Sequence, residues 1–206
     1  MSFQTVKKFE LLLADFYGAP YAVATDCCTH GIELCLRMTD PSFVTVPKHT
    51  YISVPFTFEK LDLNWDFRDE EWSNYYYIGN TNIIDGAVHF ARDGYIPDTL
   101  MCLSFQFKKP LGLGRGGAIL CSTQSEYDIL KRMVYDGRDQ TADGWWGEQS
   151  IDTMGYHYYM TPETAQLGID KLPVVSRVDW PVWDWQKYPD LSTMPVFEQK
   201  GMLYYV

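Results

Sequence analysis

Between residues 9 and 172 the chain alternates between two hydrophobic periods, and that alternation limits its fold more than any other feature. Phe9, Leu12, Leu13 and Phe16 recur at helical spacing up to Gly18, which is placed as a helix stop. The stretch "YAVAT" (21–25) then reads as a short strand, and a helix follows over 29–38. Next come a strand "SFVTVP" (42–47), a helical "TYISVPFTFEKL", and strands "TNIID" ending at Asp85, "TLMCLSF" ending near Phe105 and "GGAILCS" (116–122). Helices are expected at 125–134 and 161–172. Short apolar strands separated by helices predict an α/β fold, a mainly parallel sheet flanked by helices, with ligands bound at the carboxyl ends of the strands.

A chain of 206 residues with 46% hydrophobic character can bury one compact core, and a second full domain would be cramped. The segment 173–206, rich in Trp, Pro and Tyr, has no clear period and is expected to wrap the domain formed by 1–172. A formal net charge of -10 argues against nucleic acid or an anionic membrane as partner, since both call for a basic patch. No span reaches transmembrane length, and the N-terminus reads as an amphipathic helix and not as a signal peptide. The five cysteines are an odd number without CxxC pairs, so reduced thiols in a cytoplasm and no metal site are expected.

Chemistry concentrates in "MCLSFQFKKPLGLGRGGAIL" (101–120), where two lysines stand between an apolar strand and a glycine-rich turn. A lysine amine in a partly desolvated pocket has a lowered pKa, and once neutral it can condense with an aldehyde as a Schiff base. Upstream, "DCCTHG" (26–31) joins a strand to a helix, so its backbone N–H groups make either an anion site or an ordinary helix cap. Asp85 closes a buried strand, either as a functional carboxylate or as a turn residue. Pyridoxal phosphate needs one of each: an amine, an anion cradle and an acid partner for its ring nitrogen. Lys109, the "CCTH" turn with Ser104, and Asp85 supply them.

These residues resemble the DegT/DnrJ/EryC1/StrS family of sugar aminotransferases, which have the type I fold of pyridoxal phosphate enzymes. "SFQFKKPLGLGRGGAI" is similar to that family's cofactor-lysine motif, and the spacing from Ser104 selects Lys109 over Lys108. "FYGAPYAVATDCCTHGIELCL" is similar to its phosphate-binding turn, which implies that role for Cys28 and Thr29. "VPKHTYISV" implies Tyr51 as the aromatic stacked on the pyridine ring. "IIDGAVHFA" implies Asp85 at the ring nitrogen and Ala87 beneath the ring. "MGYHYYMTPETAQLGIDKL" (154–172) resembles the segment that reaches a neighbouring subunit's phosphate, with His157 where the family has Asn. The resemblance implies a reduced large domain, a homodimer with shared sites, and transfer of an amino group from an amino acid, glutamate in the family, to a nucleotide-linked keto sugar.

The chain departs from the family's pattern in three places. The interval from Tyr51 to Asp85 is too short for the usual two βα units, and no small C-terminal domain follows the last motif. Val88 stands where the family carries Gln or His, with His89 one step later. The aromatic runs "NYYYIG" and "GWWGE" read as packing and dimer-interface residues, with a sugar platform as the other reading. An alternative to catalysis is a module that binds pyridoxal phosphate or a nucleotide sugar without turnover. A nucleotide P-loop would place its lysine after the glycines, and here the lysines precede them. The related dehydratases replace the lysine with histidine.

Overall fold

A computed structural model of the chain describes residues 2–198. Helix α1 (Phe3–Tyr17) stops at Gly18, whose φ of 69° lies in the left-handed region that a Cβ disfavours. Strand β1 (Tyr21–Thr25), helix α2 (Cys28–Thr39), strand β2 (Val44–Pro47) and helix α3 (Ser53–Lys60) follow. Two strands not expected from the sequence come next, β3 (Trp65–Arg68) and β4 (Tyr76–Tyr77). Then come β5 (Ile83–Asp85), β6 (Leu100–Ser104), β7 (Gly117–Cys121) and α4 (Gln124–Met133), whose N-terminus carries a capping box between Thr123 and Glu126. Helix α5 (Pro162–Val175) runs past residue 172 and through Pro173, and the short α6 (Pro195–Glu198) ends the described chain.

The α/β reading holds, but the sheet is mixed, not mainly parallel. Its order is β1-β7-β6-β5-β4, and only β5 and β6 are parallel neighbours. The connections explain the difference. Residues 105–116 between β6 and β7, and 78–82 between β4 and β5, contain no helix to carry the chain back across the sheet, and each following strand returns antiparallel. Strand β2 also leaves the main sheet and pairs in parallel with β3, with α3 as the crossover. This single βα unit fills the shortened interval.

Alternation along the strands separates two cores. Val23, Ile83, Leu100, Cys102, Ile119 and Cys121 face the side covered by α2, while Ala22, Ala24, Ile84, Met101, Leu103, Ala118 and Leu120 face α1 and α5. Burying both faces stabilises the sheet by roughly 25 cal/mol for each Å² of apolar surface removed from water. On the α1 side the buried Glu10 accepts hydrogen bonds from the Ala24 N–H (2.8 Å) and from Lys131 Nζ on α4 (2.8 Å), which ties two helices to β1. No helix among the described residues is long and apolar enough to cross a membrane.

Residues 176–198 wrap the fold as short turns. Leu191 N–H donates to Lys48 O, Trp185 N–H donates to Trp72 O, and the Phe197 ring packs against Phe56, Trp65 and Phe67. The final part of the segment read from sequence as an extension, 199–206, lies outside the described residues.

Candidate functional site: a lysine, a buried carboxylate and two helix N-termini

Although the sheet is mixed, β1, β5 and β6 run in one direction, so Thr25, Asp85 and Ser104 end on the same edge. Gly117 opens the reversed β7 there, paired with both Thr25 and Ser104. A cavity of about 370 Å³ opens at this edge. Seven of the eight site residues expected from sequence line it: Cys28, Thr29, Tyr51, Asp85, Ala87, Ser104 and Lys109.

Asp85 is almost fully buried. Its Oδ1 accepts from the Ala87 N–H at 2.9 Å, and its Oδ2 accepts from the Tyr76 hydroxyl, to which the Thr50 hydroxyl donates in turn. Tyr76 is brought there by register, being the β4 residue directly opposite Asp85. Burial raises the Asp85 pKa, and the Tyr76 and Ala87 hydrogen bonds and the Lys109 charge offset that only in part. Such a carboxyl favours a cationic or N–H donor in the cavity, which is what a protonated pyridine nitrogen offers.

Lys109 lines the cavity, whereas the exposed Lys108 does not. Burial holds the Lys109 amine below the usual lysine range, against the pull of Asp85 and Cys28, and Lys108 adds to the lowering. The Lys109 Nζ lies 4.8 Å from the centre of the Trp183 ring.

The anion cradle has two helices. The N-termini of α2 and α3 meet where the Thr29 and Ser53 hydroxyls share a hydrogen bond of 2.8 Å. Both helices point the positive ends of their dipoles into the cavity wall. Gly117 makes room for this: a Cβ there would lie 2.6 Å from Cys27 C and from Cys28 N. The cradle therefore has the polarity for a phosphate and needs the glycine to exist.

Beside it, Asp26 accepts from Arg115 (2.7 Å) and pairs with His30 Nδ1 (2.7 Å). Burial pushes the Asp26 pKa up, but His30 and Arg115 outweigh it and hold the carboxyl below its usual value. Asp26, Cys27 and His30 also bring ligand-type atoms within 4.8 Å of one another, a grouping that cysteine spacing alone did not reveal. Arg115 and the imidazole already supply the positive charge that Asp26 requires.

The other expectations are placed as follows. Tyr51 lies at the cavity mouth, 61% exposed. Val88 lines the cavity, and His89 turns away: its Nε2 bonds the Gly94 carbonyl at 2.9 Å. His157 is not part of this cavity; it is exposed and paired with Asp136 (3.0 Å). Sequence reading missed Thr50, Ser53, Trp72, Tyr76, Arg115 and Tyr188 as lining residues. The only signal available for the aromatics was their density, which also suits packing.

The chain belongs to the DegT/DnrJ/EryC1/StrS aminotransferase family, whose sequence model matches residues 1–61 and 94–179. The segment bearing Asp85 falls between the two matched stretches, so its placement rests on the fold. No curated protein sequence matches the chain. Among solved structures, AtS13 from Actinomadura melliaura is similar over 85% of this chain and 61% of its own, with a TM-score of 0.74 and 19% identity. The sugar aminotransferase CalS13 from Micromonospora echinospora is similar over 84% and 61%, with a TM-score of 0.69 and 15% identity. Spr1654 from Streptococcus pneumoniae, solved in a PLP form, is similar over 84% and 60%, with a TM-score of 0.69 and 17% identity. At these identities the likeness is one of fold, and the chain spans about three fifths of the length of these structures.

Proposed function

We propose that the chain binds pyridoxal phosphate through Lys109 and transfers an amino group from an amino acid, with glutamate as donor, to a keto sugar carried on a nucleotide. The observation that carries this reading is the convergence of a half-buried amine, a buried carboxylate and a paired helix N-terminus around one cavity. Bound there, pyridoxal phosphate supplies an aldehyde that captures amines and a ring that takes up electrons. The protein's part follows from its own groups. The α2 and α3 N-termini, with the Thr29 and Ser53 hydroxyls, hold the phosphate. The Asp85 carboxylate, aligned by Tyr76, would keep a proton on the ring nitrogen. The lowered pKa of Lys109 leaves more of its amine neutral at working pH, so that Nζ can act as the base that carries the donor's Cα proton. Ala87 and Tyr51 would hold the two faces of the ring. Residues 1–172 form the cofactor-binding domain and 173–206 its extension. A homodimer brings His157 of each chain toward the other's phosphate.

The test is covalent. Pyridoxal phosphate fixed with borohydride should map to Lys109, Lys109→Ala should abolish the adduct, and Lys108→Ala should retain it. An adduct on Lys108 would overturn the assignment. A protein that fixes the cofactor but shows no half-reaction with any amino donor would instead be a binding module.

A further inference from the structure

Residues 62–93 and 180–198 both lie outside the stretches that match the family, and in the fold they lie against each other. Asn74 N–H donates to Trp183 O at 2.6 Å, Trp183 N–H donates to Asn74 Oδ1 at 3.3 Å, and Trp185 N–H donates to Trp72 O at 3.1 Å. Ser73 and Asp184 add an antiparallel bridge. Aromatic side chains from both segments meet at the cavity. Trp72, Tyr76 and Tyr188 line it, the Trp72 and Tyr188 ring centres are 5.5 Å apart, and Trp183 stands 6.4 Å from Tyr188.

Building on the function proposed above, we propose that these two segments form one aromatic wall that receives the sugar ring of the substrate, with Trp183 stacked on the ring's apolar face beside Lys109. The four aromatics divide by what their polar atoms do. The Trp72 Nε1–H is committed to His49 O at 2.8 Å, and the Tyr76 hydroxyl is committed to Asp85, so both are fixed in the scaffold. Among the described residues, the Trp183 Nε1–H and the Tyr188 hydroxyl have no hydrogen-bond partner. Burial holds the Tyr188 phenol well above its usual range, so it stays neutral and can both donate to and accept from a sugar hydroxyl. The Trp183 face is next to the amine: the Lys109 Nζ rests over it. A pyranose presents a C–H face that stacks on an indole and hydroxyls at its rim, and the sugar carbon that gains a proton must come within reach of the Lys109 base. One apolar face, free polar tips and a neighbouring amine match that ligand. A bare amino acid has no ring to offer.

Isothermal titration of the pyridoxal phosphate-loaded protein with UDP-glucose, TDP-glucose and UDP as probes separates the sugar's contribution from the nucleotide's. Trp183→Leu keeps the backbone bonds to Asn74 and an apolar side chain but removes the aromatic face. It should weaken binding of the sugar nucleotides about tenfold and leave UDP unchanged. Trp183→Phe should restore most of the loss, and Tyr188→Phe should show a smaller, sugar-dependent loss. Equal loss for UDP and the sugar nucleotides would mean that the wall holds the base, and would overturn the proposal. So would unchanged binding in Trp183→Leu, or no binding of either sugar nucleotide to the parent chain at millimolar concentration. Borohydride fixation on Lys109 is run on the same samples. If it succeeds while the titrations fail, the wall is refuted and the cofactor reading stands; if it fails, the function itself is refuted.

Discussion

His30 sits on the first turn of α2, with Nδ1 2.7 Å from Asp26 Oδ1 and its ring stacked on Tyr158 at 3.7 Å. Burial alone would push its pKa down, but the hydrogen bonds to Asp26 and Cys27 outweigh that and raise it from 6.5 to about 9. At 1.36 kcal/mol per pH unit, that difference favours the protonated folded chain by up to about 3 kcal/mol. With the His30 side chain 23% and Asp26 20% exposed, solvent screening reduces the expectation to about 1–3 kcal/mol. The sign follows from linkage. The folded pKa lies above the unfolded one, so the contribution is complete below pH 6.5, declines between 6.5 and about 9, and is gone above that.

Urea denaturation across pH 6 to 10 on the parent chain and His30→Gln measures it. The gap between the two should be largest at pH 6 and shrink by about 1–3 kcal/mol toward pH 10. The variant also loses packing on Tyr158, but that loss is independent of pH, so the slope is the readout. Asp26→Asn should flatten the same slope. Parallel curves for the parent and His30→Gln would refute the argument. A second consequence is functional: the imidazolium stands one residue after Thr29, so phosphate affinity at the cradle should fall through the same pH window.

Further outcomes follow from the site. Asp85→Asn should still bind pyridoxal phosphate but slow the half-reaction by about two orders of magnitude or more, read as single-turnover absorbance with an amino donor; near-normal rates would make Asp85 a turn residue. Gly117→Ala drives a Cβ to 2.6 Å from Cys27 C and Cys28 N, and should cost about 1–3 kcal/mol in denaturation while weakening phosphate binding disproportionately. Light scattering should give a dimer, and His157→Ala should weaken cofactor affinity; a monomer at every concentration with unchanged affinity would remove the shared-site proposal.

Much of this was legible in the sequence because it was local. The "YAVAT" strand, the Gly18 stop and the helix that follows "DC" depend on a few neighbouring residues and lie where their patterns put them, and Cys28, Thr29, Ser104 and Lys109 line one cavity. Strand direction was not legible, because it depends on what each connection contains: the glycine-rich 105–116 returns the chain antiparallel where a helix would have carried it across. Strand β4 and the β3 partner of β2 were hidden in "WDFRDEEWSNYYY", where the alternation of "WDFR" lasts only four residues and β4 is two residues long, too short for a period to stand out. Tyr76 and Tyr188 could not be assigned to the cavity from sequence, because they are 112 positions apart and meet only when the wrapping segment folds back. His89 against Val88 was a question of one residue in a loop, decided by the Gly94 carbonyl that captures the imidazole.

The shortened interval before Asp85 raises the question of how its carboxylate keeps its place when upstream units are missing. Its position is fixed by neighbours and not by sequence distance: Asp85 pairs in parallel register with Cys102 on β6, and β6 also carries Ser104 and leads into the Lys109 turn. Any chain that retains the β5–β6 pair therefore retains the spacing between carboxylate and amine, however many βα units precede it. What such a loss removes is the material beyond the edge strand. Here β4 occupies that edge, places Tyr76 opposite Asp85 and leads the 72–75 segment to the wrapping chain. The same strand that closes the shortened sheet thus orients the carboxylate and anchors the aromatic wall. On the function proposed above, shortening changes what surrounds the reacting groups more than the groups themselves: selection of the sugar falls to Trp183 and Tyr188, held by Trp72 and Tyr76, and the chemistry stays with Lys109 and Asp85.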